Sequence, residues 1–381
     1  MPATWPHQLV EHLRSREGAG ALVIATSSAV ALGVVPNLID ALPHPIWAAI
    51  IAFVVTVLIT PLGWALRHER GLGIVLGLYP PGQQQDSRIV TLAAASAARH
   101  TSSFEVRPRL LSPAGTDLGA KGRADLTAEI IDARAVEEAR RFSATDVTLY
   151  PLIPLREGFH LGRQLANRNW TSLTVMHLSG SNAKSVIPGV RLGTHLTGPL
   201  TPAQLALVND CVHPSSGDAI TPEPHPECPR THRHRLAVII RLSPSDAMVE
   251  DALHVARTGS LRRPYSLAHT GYLPHIDATC GAHVVIESTR TYLDEAPETF
   301  EALANHLHRT ITTAAEAWRN HLAVTSPTPH RPVDVLVFLA GPLPIAIALG
   351  WLGAHHPETD LVHHDKALMG SWTEPSSTGR L

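Results

Sequence analysis

The hydrophobic pattern changes character along the chain. Near the N-terminus it is continuous. Gly18 to Ile39 is a run of 22 residues without a charge, Asp40 interrupts, and Ala41 to Leu66 is a second uncharged run of 26 residues. A helix rises ~1.5 Å per residue and needs about 20 residues to cross a ~30 Å hydrocarbon layer, so both runs are long enough. The intervening Asn37 to Pro45 reads as a tight turn, giving a two-helix transmembrane hairpin. Arg14 and Arg16 precede it, Arg67 and Arg70 follow it, and the turn has no Lys or Arg. The positive-inside rule then places both termini in the cytoplasm, and Trp5, Trp47 and Trp64 fall near the interfaces. The expectation is a multi-pass protein of the bacterial inner membrane. A cleaved signal peptide ending at Ala29-Val30-Ala31 and a core hairpin in a soluble protein are the competing readings.

Beyond residue 67 the pattern becomes periodic and broken by turns. Tyr79-Pro80-Pro81-Gly82 followed by three Gln reads as a linker. Arg88 to Leu92 reads as the opening strand of a first half, and Leu236 to Leu242 as that of a second. Ala124 to Arg141 and Glu298 to Leu322 read as helices; the latter carries Phe300, Leu303, Leu307, Ile311 and Trp318 at helical spacing. After Leu242, Ser243 reads as an N-cap, with Pro244 at the first helical position and Asp246 at the third, opening a helix over Ala247 to Arg257.

An internal repeat ties the halves together. The segment starting at Asp146 and the one starting at Asp334 align without gaps at an offset of 188. They share Asp146/Asp334, Val147/Val335, Pro154/Pro342, Leu155/Leu343, Leu161/Leu349, Gly162/Gly350 and Ala166/Ala354. Each copy reads as a buried strand, a Pro-bearing turn, a helix and a second strand (Ser172 to Leu178; Thr359 to His363), which is the spacing of a parallel βαβ unit. The boundaries that follow are an N-terminal segment 1–17, the hairpin 18–71, a linker 72–86, a first half 87–225 and a second half 226–381.

Composition narrows the function. Charged residues make up 17 % of the chain, against about 25 % in average soluble domains, so long disorder is not expected. The net charge of −2 does not suit a protein that coats duplex nucleic acid. Three cysteines, Cys211, Cys228 and Cys280, are too few for a disulfide scaffold. With His213, His232 and His234, Cys211 and Cys228 supply zinc-type ligands, but no pair has a standard spacing. No phosphate-binding loop, nucleophile elbow or paired-carboxylate signature is present, so no enzyme and no cofactor is expected. A membrane-anchored metal-dependent enzyme using the Cys211–His234 cluster is the alternative reading, and a passive membrane-tethered adaptor is a third.

The strand Asp334-Val-Leu-Val-Phe-Leu-Ala340, the Gly341-Pro342 turn and the Ile345-Ala-Ile-Ala-Leu-Gly350 helix resemble the SAVED domain of bacterial antiphage systems. The resemblance covers roughly residues 85–375 and implies an α/β fold of two fused CARF-type, Rossmann-like units. It further implies a CBASS membrane effector: a partner nucleotidyltransferase makes a cyclic oligonucleotide on infection, the SAVED-like body binds it, the chains homo-oligomerise, and the hairpin disrupts the lipid bilayer, causing abortive infection. By the same resemblance, Trp372 takes the place of the family's late aromatic residue.

In open parallel sheets ligands lie beyond the carboxyl ends of the strands, and phosphates suit helix N-termini. The candidate ligand-binding residues are therefore the strand-end turns. They are Pro154 and Arg156 in the first half, Ser179, Gly180 and Ser181 after the next strand, and Ser243 and Ser245 after Leu242. Ser288 and Arg290 follow the strand His283 to Ile286, and Gly341 and Pro342 follow Ala340. Arg156 is read as a phosphate partner and Gly341 as a place where backbone can approach the ligand closely.

Overall fold

The computed structural model describes residue 54 and residues 69–369, except 80–85, 108–117, 143–145, 169, 171, 180–184, 216–217, 219, 245–246, 264–267, 275–276, 326–331, 357 and 366–367. The apolar runs 18–39 and 41–66, apart from residue 54, and the aromatic Trp372 lie outside the described residues. Among the described residues no helix is long and apolar enough to cross a membrane. The expected multi-pass membrane location is corrected accordingly: the helices that the structure does show are amphipathic or buried in a protein core, and none presents a lipid-length apolar surface.

The first half contains strands β1 (Glu69–Gly77), β2 (His100–Val106), β3 (Asp146–Leu152), β4 (Ser172–Ser179) and β5 (Ser185–Leu192). Helices α1 (Asp86–Arg99), α2 (Gly119–Phe142) and α3 (Leu155–Ala166) connect them. The sheet order is β2-β1-β3-β4-β5, parallel except for β5. Helix α4 (Pro202–Cys211) and the two-residue strands β6 (Val212–His213) and β7 (Glu223–Pro224) lead into the second half. That half contains β8 (Arg235–Arg241), α5 (Met248–Thr258), β9 (Tyr272–Leu273), β10 (Ala282–Ser288) and α6 (Pro297–Thr325). It ends with β11 (Asp334–Ala340), α7 (Leu343–Leu352), β12 (Thr359–Leu361) and β13 (His363–His364). Its main sheet runs β12-β11-β8-β10-β6, parallel except for β6. Both β6 and β7 pair with β10, so the second sheet recruits chain from before residue 226.

The two halves share one topology. Reading β1, β2, β3 and β4 against β8, β10, β11 and β12, both sheets have the parallel order 2-1-3-4. The register agrees to the residue. Leu72 pairs with Val147 and Leu236 with Val335, and the strand exits are closed by matching hydrogen bonds, Leu78 N–H to Leu152 O and Leu242 N–H to Ala340 O. The offset of 188 found in sequence is thus a structural duplication.

Burial explains the arrangement. Strands covered on both faces become continuous apolar runs, and β3 is buried from Val147 to Leu152 while β8 is buried from Leu236 to Ile240. One face of each sheet meets a private helix: Val75, Tyr150 and Leu152 pack with Ile89 and Leu92 of α1, and Ile239 and Phe338 pack with Met248, Ala252 and Val255 of α5. The opposite faces share a single core that includes Ile74, Leu149, Val238 and Val337, filled by α2, α3, α6 and α7. The molecule is therefore layered: α1, first sheet, central helices, second sheet, α5.

Two expectations change here. Arg88 to Leu92 is helical, within α1, because Ile89, Leu92 and Ser96 recur at a spacing that buries one helix face. The true first strand is β1, inside the segment read as the end of the hairpin and the linker; its apolar residues continue the preceding run and hide its start. Nor is Ser243 a helix cap: α5 begins at Met248 with Ala247 at its N-cap.

Candidate functional site

The centre of the molecule is the α3–α7 pair. A Cβ added at Gly162 would lie 1.9 Å from the Ile347 carbonyl oxygen, and one at Gly350 would lie 1.9 Å from that of Phe159. These contacts exchange under the repeat offset: Gly162 matches Gly350, and Phe159 matches Ile347. Gly158 likewise faces Leu343 and Ile347, and Gly162 faces the Trp351 amide. A constant difference along both helices means that they run parallel, side by side, about a pseudo-two-fold axis. Only glycine lets the backbones come this close.

A parallel pair brings both N-termini to one pole. Pro154 and Pro342 are the N-caps, each extended and neither making a side-chain cap. The Leu155 and Arg156 amides open α3 and the Leu343 amide opens α7; Pro344 has no N–H, and Ile345 N–H turns back to Pro342 O. Two helix dipoles point their positive ends at the same place, between the carboxyl ends of β3 and β11. The exits of β1 and β8 flank them, with Ser243 half-buried beside Gly341.

Polar groups at this pole are unequal between the halves. Glu157, buried in the first turn of α3, takes the Arg123 guanidinium, with Arg123 Nε at 2.9 Å. Arg156 pairs with Asp360 of β12 at 3.2 Å, and His160 reaches the other oxygen of the same carboxylate at 3.2 Å. Burial lowers the His363 pKa, with Arg156 and Arg123 pushing it the same way and Asp365 opposing. Arg123 and His363 were not singled out in sequence: Arg123 sits in an ordinary amphipathic helix, and only the fold carries it to α3.

The predicted residues divide as follows. Pro154, Arg156, Ser243, Gly341 and Pro342 gather at the pole. Arg156, expected as a phosphate partner, is engaged by Asp360 across the halves. Gly341 does not face an open approach, since a Cβ there would meet Leu242 Cβ at 3.2 Å. Ser179 ends β4 and donates to Glu295, which also faces His177 at 3.4 Å; burial lowers the His177 pKa despite that carboxylate. Ser288 and Arg290 form a clasp away from the axis: the Ser288 hydroxyl bonds Arg290 O at 2.8 Å, and Arg290 pairs with Asp210 of α4. Gly180, Ser181 and Ser245 lie outside the described residues.

The metal alternative is not supported. Among the described residues no group of three or more His, Cys, Asp or Glu could hold a metal ion. Cys211 is buried at the end of α4, and burial raises its thiol pKa. His234 instead pairs with Asp334 at 3.1 Å.

Comparison with known proteins adds a distant likeness. No family profile and no curated protein matches the chain. Two solved structures of an Acinetobacter baumannii Cap4 SAVED/CARF-domain containing receptor are similar to it. The one with the cyclic trinucleotide 2'3'3'-cAAA aligns with a TM-score of 0.35 and 10 % identity, over 82 % of this chain and 51 % of that one. The one with 3'3'3'-cAAA aligns with a TM-score of 0.33 and 12 % identity, over 76 % of this chain and 47 % of that one. This chain thus spans about half the length of those receptors. At this level of likeness the functional reading rests on the chain's own geometry.

Proposed function

We propose that the duplicated α/β body is a receptor for a small cyclic oligonucleotide, bound across the paired N-termini of α3 and α7. The observation that carries this reading is the parallel, glycine-spaced helix pair. Aligning two like dipoles at a few ångströms is unfavourable unless something negative stands at their shared positive end. A phosphate there offsets the repulsion and takes the open amides. A ring with more than one phosphate suits a pole built twice from the same repeat, and strand-end hydroxyls such as Ser243 suit its base edges.

The reading also follows from the sequence resemblance to SAVED domains. On that basis the ligand is the product of a partner nucleotidyltransferase, the bound form self-associates, and the body senses rather than catalyses. A panel of cyclic di- and trinucleotides tests it by thermal shift on the full chain. At least one member should raise the melting temperature, less so at higher salt. Ser243→Glu, which adds a negative charge at the rim without touching the core, should weaken that member by about tenfold or more. A panel without any shift, or a shift indifferent to Ser243→Glu and to salt, would count against the reading.

A further inference from the structure

The chain crosses from the first half to the second by way of β7, a two-residue strap laid against the entry end of β10, away from the paired helix N-termini. Glu223 of the strap pairs with His283 of β10 and Pro224 with Ala282, and just beyond them His225 N–H donates to Gly281 O at 2.7 Å. A line of side chains fastens the strap. His225 Nδ1 lies 2.9 Å from Cys280 O, and His225 Nε2 lies 2.8 Å from His283 Nδ1. His283 Nε2 lies 3.5 Å from a carboxylate oxygen of Glu223. Both imidazoles are buried, at 8 % exposure for His225 and 5 % for His283.

The line begins and ends on acceptors, and that fixes its protons. A carbonyl cannot donate, so His225 carries its proton on Nδ1, and its Nε2 accepts from His283 Nδ1. Neutral His283 is then left with a lone pair on Nε2, facing Glu223. Three gaps and two neutral rings leave room for one further proton, on His283 Nε2 against the carboxylate. A second proton on the rings has only His225 Nε2 to go to. There it breaks the bond between the rings and sets two cations, with ring centres 4.9 Å apart, in a shielded place. Burial is the main cause that lowers both pKa values. Cys280 O opposes it at His225 and Glu223 opposes it at both rings, whereas Arg257 of α5, 3.4 Å from Glu223, pushes both further down. We propose that this pair is an acid-released latch between the halves: it holds the strap on β10 with no added proton or with one, and lets go at the second.

Nitrogen NMR of the full chain, with 15N in its histidines and backbone amides, reads the latch directly. At pH 8 the two rings should show a coupling across their N–H···N hydrogen bond, with His225 as the Nδ1–H tautomer. On acidification His283 should titrate first, below the ordinary value near 6.5, with the coupling intact. The coupling and the protection of the His225 amide should then vanish together, while the β8 amides stay protected. Glu223→Gln, at an exposed side chain, removes the charge that faces His283 Nε2 and should move the His283 titration down by about half a unit or more. A His225 ring protonated on Nε2 at pH 8 would overturn the proposal, as would two rings that titrate independently. So would a His283 titration indifferent to Glu223→Gln, or strap amides that open only together with β8.

Discussion

At the residue scale the structure hangs on two glycines that the repeat had already paired. Gly162 and Gly350 appear in sequence only as matches in a duplicated segment; nothing in composition says that a backbone oxygen sits where their Cβ would be. Gly162→Ala and Gly350→Ala should each cost several kcal/mol, at or above the usual ~1–3 kcal/mol of an overpacked core, because the obstacle is backbone and cannot swing away. Gly158→Ala should cost clearly less, since its new methyl meets the movable end of Leu343. Urea denaturation of the three variants checks the order, and equal costs would refute the close parallel pair. Arg156 shows the converse limit of sequence reasoning. Its position at a strand end was legible, but its partner Asp360 lies 204 residues away and is set only by the fold. Arg156→Gln should therefore lower the urea midpoint even without ligand, by leaving Asp360 part-buried and short of a cation.

At the element scale, βαβ units were readable wherever turns bounded them. The β3–α3–β4 and β11–α7–β12 units follow from proline turns and apolar runs, and α6 from its helical spacing. Strand β1 was not readable, because its Gly-Leu-Gly-Ile-Val-Leu-Gly sequence abuts an apolar run that masks where it starts. Helix α7 is apolar on every side, so no periodicity marks the face it gives to α3; only burial on all sides explains it. The elements also carry a pH dependence. His177, His225, His283, His306, His308 and His363 all have pKa values lowered mainly by burial. Below the unfolded value near 6.5 the unfolded chain takes up protons that the native state resists, so stability must fall as the pH drops. For His308, a descent from 6.5 to about 4 corresponds to about 3 kcal/mol once its window has been crossed. Thermal unfolding should move to lower temperature between pH 7 and pH 5, and His308→Phe should flatten part of that slope. A melting temperature that stays level over this range would show that these rings are not shielded as described.

At the scale of the whole molecule, duplication is the organising fact. Two sheets of the same parallel order face each other across a shared helical layer, and the pseudo-axis that relates them runs along α3 and α7. One pole of that axis collects helix N-termini and strand exits. The N-terminal apolar runs fall outside the described residues apart from residue 54, and the membrane location inferred from them finds no counterpart among the described helices. Hydrogen exchange on the full chain, with and without the cyclic oligonucleotide that gives the largest thermal shift, tests the central claim most directly. The first-turn amides of α3 and α7, with the β8 exit at Ser243, should gain the strongest protection. Protection confined to the opposite pole or to the outer helices α1 and α5, or none at all, would contradict a receptor site on the paired helix N-termini.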